Sequence, residues 1–281
     1  GGLDRVFHLV HPLSELHLRN VTVRDGALTD AAGAGILSWG VLSLDNVTVE
    51  HNRVAGTSSD AIGGGLCIGC GPGTGSAALT NVTVRHNTAD RGGGLFTNRP
   101  MTITASTIVS NAARVGAGVL NYGDLTILNS TFSGNSASNS GGGIWNERTM
   151  TITNSTLSGN SAGSGGGVNN RGTMTFKNSI VADSPSGSNC DNFGTFTARG
   201  ANLATDGTCP GFTQVTSAQL NLGPLANNGG PTQTHALLFG SSAVDAAADC
   251  TDVAGIPVAT DQRGVSRPQG SACDVGAFEA D

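Results

Sequence analysis

Apolar and polar residues alternate along short stretches of this chain. Met150, Ile152 and Leu157 fall on one side of such a stretch, while Thr151 and Thr156 face away from it. A period of two residues is typical of a β-strand, because successive side chains of a strand point to opposite faces. The pattern therefore predicts short strands with one apolar face rather than amphipathic helices.

The alternating stretches belong to an internal repeat. Its marker reads Asn-x-Thr-x-x-x-Asn, and a Gly-x-Gly marker keeps the same phase in every repeat except a longer one that ends at residue 81. The successive spacings of the first marker are 26, 35, 24, 24, 25 and 24 residues. The copies and variants of this marker begin at Asn20, Asn46, Asn81, Ala105, Asn129, Asn154 and Asn178.

A repeat of this length accommodates about three short strands separated by corners. Glycine and asparagine tolerate the left-handed backbone that such corners need. One repeat is too small to bury its apolar face alone, but stacking equivalent units about 4.8 Å apart pairs every strand with its counterparts in parallel. We therefore predict an all-β fold, a single-stranded parallel β-helix (β-solenoid) over residues 1–184.

The same stacking aligns equivalent side chains of successive coils. Amide side chains that lie one above another can hydrogen-bond along the column, as in other stacked sheets. The third position of the marker predicts a column of outward threonines. The predicted asparagine ladder consists of Asn52, Asn87, Asn111, Asn135 and Asn160.

The repeat pattern fades after about residue 184, and residues 185–281 hold four of the six cysteines. A solenoid needs capped ends, because an open coil exposes unpaired strand edges and core. We expect irregular final coils and a disulfide-stapled C-terminal cap in this region. The cysteines fall into local pairs, which favours disulfides and an oxidising compartment. The pairs are Cys67/Cys70, Cys190/Cys209 and Cys250/Cys273.

Composition and charge narrow the range of partners. Charged residues make up 12% of the chain, and the formal net charge is −6. The sequence shows no basic stripe, which argues against nucleic acid as a partner. No run of about 18 apolar residues is present, so we predict no membrane span.

Four stretches near the C-terminus resemble a known family. Residues 221–238, 242–245, 260–270 and 273–279 are similar to the choice-of-anchor Q domain, which closes many bacterial secreted β-helix proteins. The upstream repeats resemble the polymorphic outer membrane protein-like coils of the same family. The resemblance implies a right-handed β-helix, export, and a location outside the cell or on the surface of a bacterium. It implies no single activity.

One group of titratable residues lies in the repeats. His51 and His86 occupy the same repeat position, and Glu50 and Arg85 precede them. They could form a uronate site, where a base abstracts a proton and an arginine neutralises the carboxylate. The alternative is a ladder of alternating charge, Arg24–Glu50–Arg85, on a solvated face, where pairs contribute only ~0–1 kcal/mol. We favour the ladder.

Aspartates are frequent in the last part of the chain, and oxygen ligands in loops could hold Ca²⁺. No EF-hand or calcium-binding nonapeptide repeat is present. We therefore interpret these residues as turn and capping aspartates and predict no cofactor. They are Asp245, Asp249, Asp252, Asp261 and Asp274.

These observations lead to two functional hypotheses. The first is a non-enzymatic, extracellular structural or adhesive β-solenoid, and stacking through an uncapped first coil predicts homo-oligomers or filaments. The second is a protein that binds acidic polysaccharides, such as cell-surface glycans, or degrades them as a lyase, with its site in the long repeat around residues 50–91.

Overall fold

The computed structural model describes residues 4–281 and shows a parallel β-solenoid of about eight coils. Eight successive coils each contribute one strand to each of three sheets, and Thr213–Gln214 adds a ninth strand to one of them. The neighbours within a sheet come from successive coils. The marker segments beginning at residues 129, 154 and 178 pair in parallel and in register. The prediction of an all-β parallel solenoid is confirmed.

The three sheets are here named first, second and third in the order in which a coil visits them. The first sheet comprises Phe7–Leu9, Ile36–Ser38, Leu66–Ile68, Leu95–Thr97, Val119–Asn121, Ile144–Asn146, Val168–Asn170 and Cys190–Asn192. The second sheet comprises Glu15–Arg19, Val41–Asp45, Ala77–Thr80, Met101–Thr104, Asp124–Leu128, Thr149–Thr153, Thr173–Lys177 and Thr195–Arg199. The third sheet comprises Thr22–Arg24, Thr48–Glu50, Thr83–Arg85, Thr107–Val109, Thr131–Ser133, Thr156–Ser158, Ile180–Ala182, Leu203–Ala204 and Thr213–Gln214.

Smaller elements lie outside the three sheets. A single four-residue helix, Ser217–Leu220, lies within residues 4–281 and follows the last strand of the third sheet. The remaining strands pair as Ala27–Thr29 with Arg53–Ala55 and Ala112–Val115 with Ser136–Ser140, both parallel, and Leu222–Ala226 with Thr234–Leu237, antiparallel.

Each coil turns at left-handed residues. In one coil these are Asn46 with φ 52°, His51 with φ 55° and Gly63 with φ 62°. A left-handed backbone costs most residues about 1–2 kcal/mol, whereas glycine and asparagine adopt it readily. This cost explains why the two sequence markers recur at the corners.

The inward faces of all three sheets form one continuous apolar core. Met150, Ile152 and Leu157 belong to it and are at most 1% exposed. At the C-terminal end, Phe212 packs edge-on against Phe176, with ring centroids 5.2 Å apart. The region around Phe212 therefore covers the end of the core.

The buried asparagines form the ladder that the repeat predicts. The side-chain Nδ2 of each donates to Oδ1 of the next at 2.9–3.0 Å. That Oδ1 also accepts from a backbone N–H, as Asn135 Oδ1 does from Asn111 N at 3.0 Å. Nδ2 of Asn135 donates in addition to Ile108 O at 2.9 Å. The amides thus satisfy the buried backbone groups at this corner.

Two further ladders are not apparent from the marker positions. A second asparagine column runs along the first sheet, with Nδ2 to Oδ1 distances of 2.7–2.8 Å. A serine column lies beside the third sheet, where each Oγ accepts from the backbone N–H of the preceding coil. The second asparagine column consists of Asn121, Asn146, Asn170 and Asn192. The serine column consists of Ser106, Ser130, Ser155 and Ser179.

The C-terminal segment, residues 215–281, returns along the outer face of the third sheet. Thr107 Oγ1 donates to Gln233 O at 2.6 Å, and Thr131 Oγ1 donates to the Gln262 side chain at 2.7 Å. Thr156 Oγ1 accepts from a backbone N–H of the segment at 3.0 Å. The threonine column is therefore aligned as predicted, but these three members are buried under the segment.

Buried ion pairs and one disulfide hold the C-terminal segment together. Arg267 Nη1 lies 2.7 Å from Glu279 Oε2, and both side chains are fully buried. Burial raises the pKa of Glu279, and the nearby Arg267 opposes that rise. Arg263 pairs with Asp261 at 2.8 Å. The disulfide Cys250–Cys273 lies within the segment, whereas Cys67–Cys70 and Cys190–Cys209 lie in the preceding coils.

The asparagine ladder leads to a stability prediction. Asn135→Ala removes an amide that makes four hydrogen bonds inside the coil, and each buried partner left unpaired costs about 1–3 kcal/mol. We expect the free energy of unfolding to fall by about 3 kcal/mol or more. Urea unfolding followed by circular dichroism measures this change.

Asn139→Ala is the matched control for this measurement. Asn139 lies in a neighbouring strand, and its exposed side chain accepts a hydrogen bond only from Ser140 Oγ within the described chain. A surface change of this kind should alter stability by less than about 0.5 kcal/mol. Equal losses in the two variants would contradict a structural role for the ladder.

Candidate functional site

The third sheet brings the predicted charged residues into register. Arg85 Nε donates to Glu50 Oε2 at 2.7 Å, and Arg85 Nη2 lies 2.6 Å from the same oxygen. Arg24 Nη1 lies 3.9 Å from the other carboxylate oxygen. Glu50 is only 7% exposed, so its carboxylate lies between two guanidinium groups rather than in open solvent.

The two histidines lie at left-handed corners of adjacent coils. His51 has φ 55° and His86 has φ 53°, and their rings stack with centroids 5.1 Å apart. Partial burial lowers the pKa of His86, and the neighbouring His51 and Arg85 lower it further, while Glu50 acts in the opposite direction. The stacked pair therefore favours neutral imidazole at His86.

The geometry of this cluster bears on the uronate hypothesis. Proton abstraction next to a carboxylate needs a base and a cation that is available to the substrate. Two nitrogens of Arg85 already contact Glu50, so that cation is engaged by a carboxylate of the protein. Glu50, Arg85 and the two histidines do come together, and their arrangement matches a self-compensating charge ladder.

A groove adjoins this cluster. Its floor is the outer face of the third sheet at Thr48, Thr83 and Arg85, and its wall is the part of the C-terminal segment at residues 227–233. The groove has a volume of about 260 Å³. Hydroxyl, amide and guanidinium groups line it, which are groups that can hydrogen-bond a polar ligand.

Specific hydrogen bonds hold the wall in place. Thr232 Oγ1 donates to Ala105 O at 2.9 Å, and Gln262 Nε2 donates to Thr232 Oγ1 at 2.9 Å. Arg263 Nη1 donates to Asn228 O at 3.3 Å. A wall fixed in this way is preorganised for a ligand. The sequence motif at residues 221–238 gave no signal of which coil it would contact.

The charge of the outward side chains along the third sheet changes at the coil where the C-terminal segment begins to cover the sheet. In the open coils, one outward row carries Arg24, Glu50 and Arg85. In the covered coils the same row continues with Val109 and Ser133. Charged side chains therefore occupy the solvated part of the row, and small or apolar side chains occupy the part under the segment.

His235 joins the C-terminal segment to the third sheet. Its Nδ1 lies 2.8 Å from Gly223 O and its Nε2 lies 3.0 Å from Ser133 Oγ. Because a carbonyl can only accept, Nδ1 carries the proton of the neutral ring and Nε2 accepts from the hydroxyl. Burial lowers the pKa of His235, against smaller opposing effects of Gly223 and Asp183.

The aspartates considered for calcium serve separate structural roles. Asp249 pairs with Lys177 at 2.7 Å, and this lysine and Thr251 lower the pKa of Asp249 to about 2. Asp274 Oδ1 accepts from Asp245 N at 2.7 Å. Within residues 4–281, no three His, Cys, Asp or Glu side chains converge as metal ligands. In the same range no helix is long and apolar enough to cross a membrane.

No family model, curated protein or solved structure matches this chain.

His235 generates a prediction of pH dependence. Because its folded-state pKa lies below its unfolded value of about 6.5, the unfolded chain takes up the proton first as the pH falls. Stability is therefore full above about pH 6.5 and declines below it, toward the folded-state pKa. We expect His235→Gln to reduce this decline, measured by urea unfolding at a series of pH values.

His86→Gln is the control, because His86 also has a lowered pKa but is exposed on the open face. It should change the pH profile less than His235→Gln does. An unchanged profile in the His235 variant would show that this histidine does not link stability to pH.

Proposed function

We propose that this protein is an extracellular, non-catalytic β-solenoid with a structural and adhesive role on a bacterial cell surface. The observation that carries the proposal is the division of the third sheet into a covered half and an open, charged half. The covered half is sealed by the C-terminal segment. The open half presents a fixed surface that is available for contact with a partner.

The interior of the solenoid supports a structural role. Continuous amide and serine ladders satisfy buried polar groups from coil to coil. Because each coil pairs with both neighbours, local opening of one coil breaks hydrogen bonds on both of its sides. Such a body keeps the spacing of its surface groups constant, which suits a display scaffold.

The proposed cellular location and the proposed handedness of the coil are inferred from the sequence. All six cysteines form disulfides, which persist in oxidising compartments outside the cytosol. The motifs in residues 221–279 resemble an end domain of secreted bacterial right-handed β-helix proteins. The right-handed sense of the coil and the bacterial surface location are part of this proposal.

A second candidate function is binding of polysaccharides, with or without lyase activity. The groove between Thr48, Thr83, Arg85 and residues 227–233 favours it, because hydroxyl and amide groups line a fixed depression. The pairing of Arg85 with Glu50 favours binding over proton abstraction. Adhesion to a glycan through this groove would combine the two candidate functions, adhesion and polysaccharide binding.

Adhesion is tested with the pair Glu50→Gln/Arg85→Gln, which removes both charges together and leaves neither one unpaired. We expect about tenfold weaker binding to bacterial cell envelopes in a sedimentation assay, since charge-assisted contacts are among the strongest at such surfaces. The matched control is Asp90→Asn/Arg114→Gln, another in-register pair at 3.0 Å. Equal binding by the two double variants would contradict the open face as the contact surface.

Catalysis is tested separately with pectate, alginate and glycosaminoglycans as substrates. We expect no ultraviolet-absorbing unsaturated products from the intact protein. Formation of such products would overturn the non-catalytic proposal. If those products persisted after His51, His86 and Arg85 were replaced together, the lyase site would lie elsewhere.

A further inference from the structure

Both tryptophans and the single tyrosine of the chain lie on the outer side of the first sheet. Trp145 belongs to the strand Ile144–Asn146, and Tyr122 follows a strand of the preceding coil. Trp39 lies in the same cluster, which is separate from the solenoid core. This side of the molecule therefore holds both tryptophans and the tyrosine, of which Trp145 is only 9% exposed.

Arginines stack on these rings. Arg171 lies over Trp145 at 4.6 Å from the ring centroid and 5.7 Å from the centroid of Phe193. Arg91 lies 5.8 Å from the Tyr122 centroid, and its Nη2 donates to Tyr122 Oη at 2.9 Å. Stacking fixes the plane of a guanidinium while leaving N–H groups at its edge free to bind an anion.

The arginines follow the solenoid axis. Thr97 and Asn146 belong to first-sheet strands two coils apart, and both align with Asn121 of the coil between them. Arg99 lies two residues after Thr97, and Arg148 lies two residues after Asn146. In the next coil Asn170 aligns with Asn146, and Arg171 directly follows Asn170. Because coils are about 4.8 Å apart, these backbone positions recur at intervals of about 5–10 Å. We name Arg99, Arg148 and Arg171 the arginine strip.

Some arginines of the described residues pair with carboxylates, whereas the members of the arginine strip do not, a property that they share with Arg5, Arg53, Arg91 and Arg199. Arg85, Arg114 and Arg267 each pair with a carboxylate. Within residues 4–281, no salt bridge joins a member of the arginine strip to a carboxylate. Glu147, on the same corner, accepts instead from Trp145 Nε1 at 2.8 Å. Within the described residues, the guanidinium groups of the strip therefore have no carboxylate partner, although Glu147 directly precedes Arg148 in the chain.

The exposure of side chains around the strip favours a ligand there. Arg148 and Arg171 are exposed, whereas Arg99 is partly buried. Phe193, which flanks Arg171, is 69% exposed although it is a large apolar side chain. An anionic group would satisfy guanidinium donors, and the apolar face of a sugar ring would cover an exposed aromatic ring.

We propose that the arginine strip binds a linear acidic polysaccharide along the solenoid axis. Its carboxylate or sulfate groups would contact Arg148 and Arg171, and a sugar ring would pack on Phe193. A linear polymer fits because the charges recur in a row with the coil spacing. The strip lies on the first sheet and the groove lies on the third, so this inference stands apart from the proposed adhesive face.

Binding is tested with the full chain and two labelled probes, an oligogalacturonate and a heparin oligosaccharide, by fluorescence anisotropy at low salt. We expect Arg148→Gln/Arg171→Gln to weaken binding about tenfold or more. The control Arg19→Gln/Arg53→Gln makes the same change in net charge at other exposed sites and should weaken binding less than about twofold. Circular dichroism verifies that both variants are folded.

Two additional measurements address the mechanism. Arg171→Lys keeps the charge but loses the planar stack, so we expect an intermediate loss of affinity. Methyl-esterified oligogalacturonate, which lacks the charges, should not bind. The inference is overturned if neither probe binds, if the control loses as much affinity as the strip variant, or if the methyl ester binds equally well. Tighter binding of a single-stranded oligonucleotide of matched charge would overturn the assignment to polysaccharides.

Discussion

The structure depends on parallel, in-register pairing between successive coils. Once a backbone strand hydrogen-bonds to its equivalent in the next coil, equivalent side chains must lie about 4.8 Å apart. Apolar positions then form a continuous core, and asparagines form columns whose amides bond to one another. The interior therefore accepts only side chains that can pack against the equivalent side chain of the next coil at this distance. This requirement explains why few residue types occur there.

The same constraint shapes the outer surfaces. Where no other part of the chain covers a sheet, like charges would meet in adjacent coils, and the row Arg24–Glu50–Arg85 avoids this by alternating in sign. Where the C-terminal segment covers the third sheet, hydroxyls replace charges and bond to it. His235 and Gln262 make these contacts from the segment. The same hydrogen bonds therefore attach the segment and bury the threonine column.

Three surfaces then remain for function, and they differ in chemistry. The open half of the third sheet carries compensated charge, the groove beside it carries hydroxyl and amide groups, and the arginine strip carries guanidinium groups that have no carboxylate partner among the described residues and lie next to aromatic rings. Each surface inherits the regular spacing of the coils. A rigid body that repeats contact groups at a fixed interval suits an extended partner better than a small molecule, and both proposals use this property.

The sequence by itself determined the coil length, the Gly and Asn corners, the core positions and the buried asparagine ladder. These features recur within about 24 residues, so local alternation and backbone preference encode them. Only the tertiary structure decided that the C-terminal segment lies on the third sheet, because Thr131 and Gln262 are 131 residues apart and show no shared pattern. It also decided that the Glu50 carboxylate of the predicted charge ladder is buried, and that Arg99, Arg148 and Arg171 form one strip. Those arginines recur irregularly along the chain, and only the stacking of coils places them in a row.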